Sequence, residues 1–209
     1  MEDDTYKINQ VLWWGINKLR VANIETAQLD AELLLARSIN VSREFLYRNH
    51  ESEIDENQYF VFEKLIAQRL MRVPVAYLLQ EKYFFDQKLH VDSNVLIPRP
   101  ESEELVFLSL ERIIKIIESG EIASILEIGT GSGAIIIAIA DTLRKRGIKE
   151  KVNIFASDKS RNALEITRKN LEDNQLDQEI ELFESDLLLN IPEKVKPDII
   201  VANLPYLDI

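Results

Sequence analysis

Through the first third of the chain, apolar residues recur at spacings of three and four: Ile8, Val11 and Leu12; Ala27, Ala31, Leu34 and Leu35; Tyr59, Phe62, Leu65 and Ile66. That period puts each set on one face of a helix, and each face needs another to bury against. Asn40-Val41-Ser42 fits a turn with Ser42 capping a brief helix, and Asp55 is placed to cap the next, which ends before Pro74. A small helical bundle is therefore expected over residues 1–80.

From Lys82 to Val91 the pattern becomes β-type. Tyr83-Phe84-Phe85 and Leu89-His90-Val91, separated by Asp86-Gln87-Lys88, predict a hairpin within a linking segment, 81–95. A long helix carrying Leu105, Leu108, Ile113, Ile116 and Ile117 should follow and stop at Ser119-Gly120. Beyond Gly120 the rhythm alternates: strands at Ser124–Ile128, Val152–Ser157, Glu179–Phe183 and Pro197–Ala202, with helices at Ala134–Lys145 and Arg161–Glu172. Strands alternating with crossover helices predict an α/β domain with a parallel, doubly wound sheet, of which residues 96–209 account for about half.

The chain has 209 residues, 46% of them hydrophobic, enough for one full domain and a small accessory one. A formal charge of −11 argues against a general nucleic-acid binder, since neutralising phosphates takes clustered Lys and Arg. With no cysteine, disulfides, thiol catalysis and cysteine-held zinc are excluded, and two scattered histidines, His50 and His90, make a histidine metal site an unfavoured reading. The acidic start, Met1-Glu2-Asp3-Asp4, lacks a signal-peptide pattern, and no apolar run spans a bilayer. A cytoplasmic protein without a metal is the expectation.

Candidate chemistry gathers where the predicted strands end. Glu127-Ile128-Gly129-Thr130-Gly131-Ser132-Gly133 lies between a strand and an apolar helix, the context that a glycine-rich cofactor loop requires. The Gly-x-Gly-x-Gly spacing, with no Lys-Ser/Thr after it, favours an adenosyl ligand over a pyrophosphate or triphosphate. Asp158, at the end of the second strand, can accept hydrogen bonds from both ribose hydroxyls, or can cap the next helix. Glu127 would face the ligand's charged amino-acid end or orient the loop, and Asp186 could accept from an adenine amino group or belong to a surface turn. Asn203-Leu204-Pro205-Tyr206 follows the last strand. An amide acceptor, a carbonyl before a proline and an aromatic ring are suited to gripping a planar NH2 group.

On these residues, with Val73-Pro74-Val75-Ala76-Tyr77-Leu78-Leu79, Tyr83-Phe84-Phe85 and Leu96-Ile97-Pro98-Arg99-Pro100-Glu101-Ser102-Glu103, the chain resembles the PrmC/HemK family, the release-factor glutamine methyltransferases. The glycine loop, Asp158, Asn170, Asp186 and Asn203 fall in the family's order. The resemblance implies a Rossmann-like class I methyltransferase domain, S-adenosylmethionine as donor, and the glutamine of a release factor's Gly-Gly-Gln motif as acceptor. It also implies that the helical domain helps dock the release factor. Glu127, Gly129, Thr130, Gly131, Gly133, Asp158, Asp186 and Asn203 would then hold the cofactor, while Asn203, Leu204, Pro205 and Tyr206 would grip the substrate amide. Arg99 and Glu103 would brace the cofactor lid or substrate pocket, with an ion-paired helix cap as the alternative.

Two departures stand out: Asn-Leu-Pro-Tyr replaces the family's Asn-Pro-Pro-Tyr, and the family's C-terminal third has no counterpart here. Two other functions fit. Asn-Leu-Pro-Tyr also resembles the ribosomal RNA dimethyladenosine enzymes, which would make the chain an adenine amino-group methyltransferase. A chain short of its last third could instead be a non-catalytic cofactor-binding or interaction fragment, with Ile199-Ile200-Val201 as an open sheet edge.

Overall fold

Residues 6–204 are described by the structure, a computed structural model, and they divide at Gln80 into two units. The first unit begins with a two-residue strand β1 (Tyr6–Lys7) that runs into α1 (Ile8–Val21), followed by α2 (Ala27–Ser38) and α3 (Arg43–Arg48). Strand β2 (Glu53–Ile54), α4 (Glu56–Leu70) and the short α5 (Val75–Leu79) complete it. The helical stripes do what their period predicts: Val11, Leu19, Leu34, Leu35, Phe62 and Ile66 share one core.

Both predicted caps form. Ser42 accepts from Phe45 N–H, and Asp55 makes a reciprocal capping box with Gln58. The antiparallel pairing of β1 with β2 was not legible, because two residues per strand are too few to show alternation.

Unit two opens with a hairpin, β3 (Glu81–Phe84) and β4 (Gln87–His90). Its turn is tighter than the three-residue break at Asp86–Lys88 expected from sequence. Phe84 pairs with Gln87, so the turn is Phe85-Asp86, with Phe85 in the left-handed region at φ 53°. The polar Gln87 and Lys88 are ladder residues. Gln87 turns its side-chain amide onto Asp141 at 2.6 Å, so local polarity marked as loop what tertiary contact makes strand. The hairpin packs on the same hydrophobic core as the sheet through Phe84 and Leu89.

A 3-10 turn (Pro100–Ser102) leads into α6 (Glu103–Glu118), which ends at Ser119 with Gly120 at φ 91°. Then come β5 (Ala123–Ile128), α7 (Ala134–Lys145), β6 (Val152–Asp158), α8 (Arg161–Asp173), β7 (Ile180–Glu184) and β8 (Ile199–Ala202). These four strands form one parallel sheet in the order β7-β6-β5-β8. Every residue of β5 is buried, as a strand flanked on both sides requires.

That order fixes where a ligand can sit. From β5 the chain winds outward through β6 and β7, then crosses back to place β8 on the other side of β5. The winding reverses between β5 and β8, and the carboxyl ends of these two strands are the switch point at which open α/β sheets bind their ligands.

Candidate functional site

The loop leaving β5 holds three glycines at positive φ: Gly129 at 70°, Gly131 at 57° and Gly133 at 81°. Each role differs. A Cβ on residue 129 would lie 2.6 Å from Leu204 Cδ2, and one on residue 133 would lie 3.0 Å from Thr167 Cγ2. At residue 131 a Cβ would meet nothing within 4 Å, so the backbone there faces open space that a ligand can enter.

Side chains brace this loop from several elements. Asp158 accepts from Gly131 N–H at 3.0 Å through one oxygen and from Ser160 N–H at 2.9 Å through the other. The cap of α8 is Ser160, whose hydroxyl accepts from Ala163 N–H, and not Asp158. The Asp158 carboxylate thus stands free of helix capping and is bonded to the loop at Gly131. Thr167 donates to Gly131 C=O at 2.8 Å. Asn170, fully buried, donates to Ser132 C=O and His90 C=O and accepts from His90 N–H, tying the loop to the end of β4.

Glu127, the last residue but one of β5, is buried and accepts a 2.6 Å hydrogen bond from the Thr130 hydroxyl. Desolvation pushes its carboxyl up to about 8, against the opposing pull of the Thr130 and Ile136 hydrogen bonds and with help from the negative Asp158. Of the two roles expected for it, orienting the loop is the one this bond performs. Asp186 is exposed in the turn after β7. That turn is attached to Asp158 by a Ser185 N–H to Asp158 C=O bond at 3.0 Å, and its interior is tied by the Ser185 hydroxyl to Leu187 C=O.

Asn203 and Leu204 follow β8 at the same switch point. Asn203 donates from Nδ2 to the Ser102 hydroxyl at 2.8 Å. An inner cleft of about 50 Å3 over the glycine loop includes Glu127, Gly129, Gly131 and Pro98 in its lining. A second space of about 340 Å3 adds Arg99, Glu101, Leu105 and Leu204. Leu96, Ser102 and Asn203 line both.

Arg99 therefore reaches the outer space, whereas Glu103 opens α6 and lines neither. Among the described residues these two form no ion pair, which removes the ion-paired cap as an account of them. Pro205 and Tyr206 lie outside the described residues. Thr167 carries no signal in the sequence, and Ser102 and Ser132 stand there only as members of their motifs, since the roles of all three depend on partners tens of residues away. Among the described residues no group of three or more His, Asp or Glu is placed to hold a metal, and no helix is long and apolar enough to cross a membrane.

Known proteins match both units. The family model for the PrmC N-terminal domain matches residues 10–79, and that for ribosomal protein L11 methyltransferase (PrmA) matches residues 105–205. The release factor glutamine methyltransferase of Rhodopirellula baltica is 34% identical over 205 residues, which cover 98% of this chain and 67% of that protein. The chain belongs to the release factor glutamine methyltransferase family. Another member, from Chlorobaculum tepidum, is 32% identical over 210 residues, with 99% of this chain and 69% of that protein covered. A third, from Leptospira interrogans, is 37% identical over 194 residues, 91% of this chain and 64% of that one. The chain thus spans about two thirds of the length of these relatives. Family membership identifies the second unit as part of a class I methyltransferase sheet, and the family is one of enzymes.

Proposed function

We propose that this chain carries the donor site and the acceptor-gripping residues of an S-adenosylmethionine-dependent methyltransferase that modifies the glutamine side-chain nitrogen in the Gly-Gly-Gln motif of peptide chain release factors. One observation carries the reading. The sheet order brings Asn203 and Leu204, which follow β8, onto the glycine loop that follows β5, with Leu204 against Gly129.

The residues present fit an adenosyl donor. Open space over Gly131 admits a ligand against the backbone, and the Asp158 carboxylate retains acceptor capacity beyond its two N–H partners for ribose hydroxyls. Glu127 and Thr130 hold the loop in shape, and Asp186 stands on the neighbouring strand end for the adenine amino group. When bound, S-adenosylmethionine supplies a methyl group on a sulfonium sulfur, which leaves as a neutral thioether while the amide nitrogen that takes the methyl releases a proton to water.

An amide nitrogen is a weak nucleophile because its lone pair is delocalised, so orientation is the main thing the protein contributes. Asn203 Oδ1 and the Leu204 carbonyl would accept from the substrate NH2 and turn the nitrogen toward the donor. Pro205 would hold the Leu204 carbonyl in place, and Tyr206 would pack on the amide plane. Positioning of this kind supplies up to roughly 7–11 kcal/mol of a barrier. Arg99, in the outer space, would contact the release factor, with Glu103 beside it on α6. The helical unit, which matches the family's N-terminal domain, would help dock it.

The deciding experiment is a calorimetric titration with S-adenosylmethionine, run with Asp158→Ala in parallel, followed by methyl transfer to a purified release factor with the modified residue located by mass spectrometry. Cofactor binding lost in the variant, with methyl on the Gly-Gly-Gln glutamine, is the expected result. Binding untouched by the variant, or methyl found only on RNA adenine, overturns the reading.

A further inference from the structure

Ser102 occupies the N-cap position of α6, where a serine hydroxyl ordinarily accepts a hydrogen bond from the first turn. Here it caps nothing. Its backbone is helical, its side chain makes no cap bond, and the buried hydroxyl instead accepts from Asn203 Nδ2, 101 residues away, at 2.8 Å. Forgoing a cap typically costs about 1 kcal/mol of helix stability, so the alternative bond points to another use of the hydroxyl.

In this bond the hydroxyl is the acceptor and the Asn203 NH2 the donor. An asparagine amide can rotate to present either its oxygen or its NH2, and the two ends recognise opposite partners. With Nδ2 tied to Ser102, Oδ1 points away from Ser102, and among the described residues it has no hydrogen-bond donor. The pair stands where the inner cleft over the glycine loop meets the outer 340 Å3 space. A group that enters the outer space thus meets an acceptor oxygen at the junction.

We infer that Ser102 is a positioning residue that anchors the Asn203 side chain at this junction, with the amide oxygen toward the acceptor group. The inference rests on the functional reading above but makes a separate claim. Without the hydroxyl, the side chain loses its anchor and spends part of its time in rotamers that do not present the oxygen to the acceptor group.

Two measurements on the full chain test this, with Ser102→Ala and Ser102→Thr compared to wild type. In methyl transfer to a purified release factor, Ser102→Ala should lose about tenfold in kcat, the size of one orienting hydrogen bond. Its Kd for S-adenosylmethionine should stay within about twofold, because the cofactor loop is held by other bonds, and Ser102→Thr should restore kcat. A fall in cofactor affinity or melting temperature that matches the loss in kcat, or no rescue by threonine, would mean a merely structural role and overturn the inference.

The second measurement needs no turnover. In protein labelled with [15N]asparagine, the Asn203 side-chain amide is the signal lost in Asn203→Asp. Its exchange with water should be slower in wild type and Ser102→Thr than in Ser102→Ala. Unchanged exchange in Ser102→Ala overturns the anchoring. If wild type transfers no methyl group at all, it is the functional reading that fails, and the amide exchange alone decides the anchoring.

Discussion

Gly129 and Leu204 are packed so closely that a Cβ on residue 129 would lie 2.6 Å from Leu204 Cδ2. The two residues follow adjacent parallel strands, β5 and β8, at their carboxyl ends. Their contact is what makes one site of a glycine loop and an Asn-Leu-Pro-Tyr segment.

Gly129→Ala should therefore weaken S-adenosylmethionine binding and destabilise the fold. The left-handed φ of 70° costs an alanine about 1–2 kcal/mol. The clash itself is with the tip of a half-exposed, flexible side chain. Leu204→Ala in the same chain should thus recover only the smaller share of the lost affinity, measured by calorimetry, and full recovery would show that steric contact outweighs backbone strain.

Asn170 is the buried clamp between the hairpin and the loop. Asn170→Leu leaves the His90 N–H and two carbonyls, of His90 and Ser132, without their partner, at about 1 kcal/mol or more for each group. Stability in urea should fall by about 3 kcal/mol, with cofactor affinity falling as well. A loss below about 1 kcal/mol would show that water or rearrangement satisfies these groups.

Glu127 ties stability to pH. Its folded-state pKa, raised from 4.5 to about 8, means that the folded chain holds a proton which the unfolded chain has already released in that interval. Stability from this group is full below about pH 4.5 and is lost as pH rises through 8. Glu127→Gln keeps an acceptor for the Thr130 hydroxyl without the ionisation. Its melting temperature should gain on wild type from pH 5 to pH 9, by roughly 10 °C at the top of the range. A difference that does not change with pH would show that the carboxyl titrates normally.

In the helical unit, Gly15→Ala should destabilise although alanine is the better helix former. A Cβ there would meet Phe62 Cζ at 2.5 Å, and Phe62 is fully buried and cannot move aside freely. Overpacking of this kind costs about 1–3 kcal/mol, which exceeds the roughly 1 kcal/mol gained in helix propensity. Thermal melting reads the sign directly. The double variant Gly15→Ala with Phe62→Leu should melt above the sum of the two single changes.

What the sequence determined by itself is what depends on neighbours along the chain. The apolar periods of the helices, the capping serine and aspartate at 42 and 55, the glycine stop at 120 and the strand-loop-helix context of Gly129–Gly133 are all local, because each involves residues within one or two turns of each other. The acids and amide of the site could be placed at strand ends for the same reason.

Tertiary structure decided what those groups do. Periodicity cannot say that β8 lies beside β5, since a strand's neighbours are chosen by the path of its crossover connections. Nor can it say that a serine in a cap position spends its hydroxyl on Asn203, that Asn170 clamps His90 to Ser132, or that Glu127 is desolvated enough to hold a proton near neutral pH. Each of these depends on partners that sequence spacing leaves undetermined, and on the exclusion of water that only the packed sheet creates.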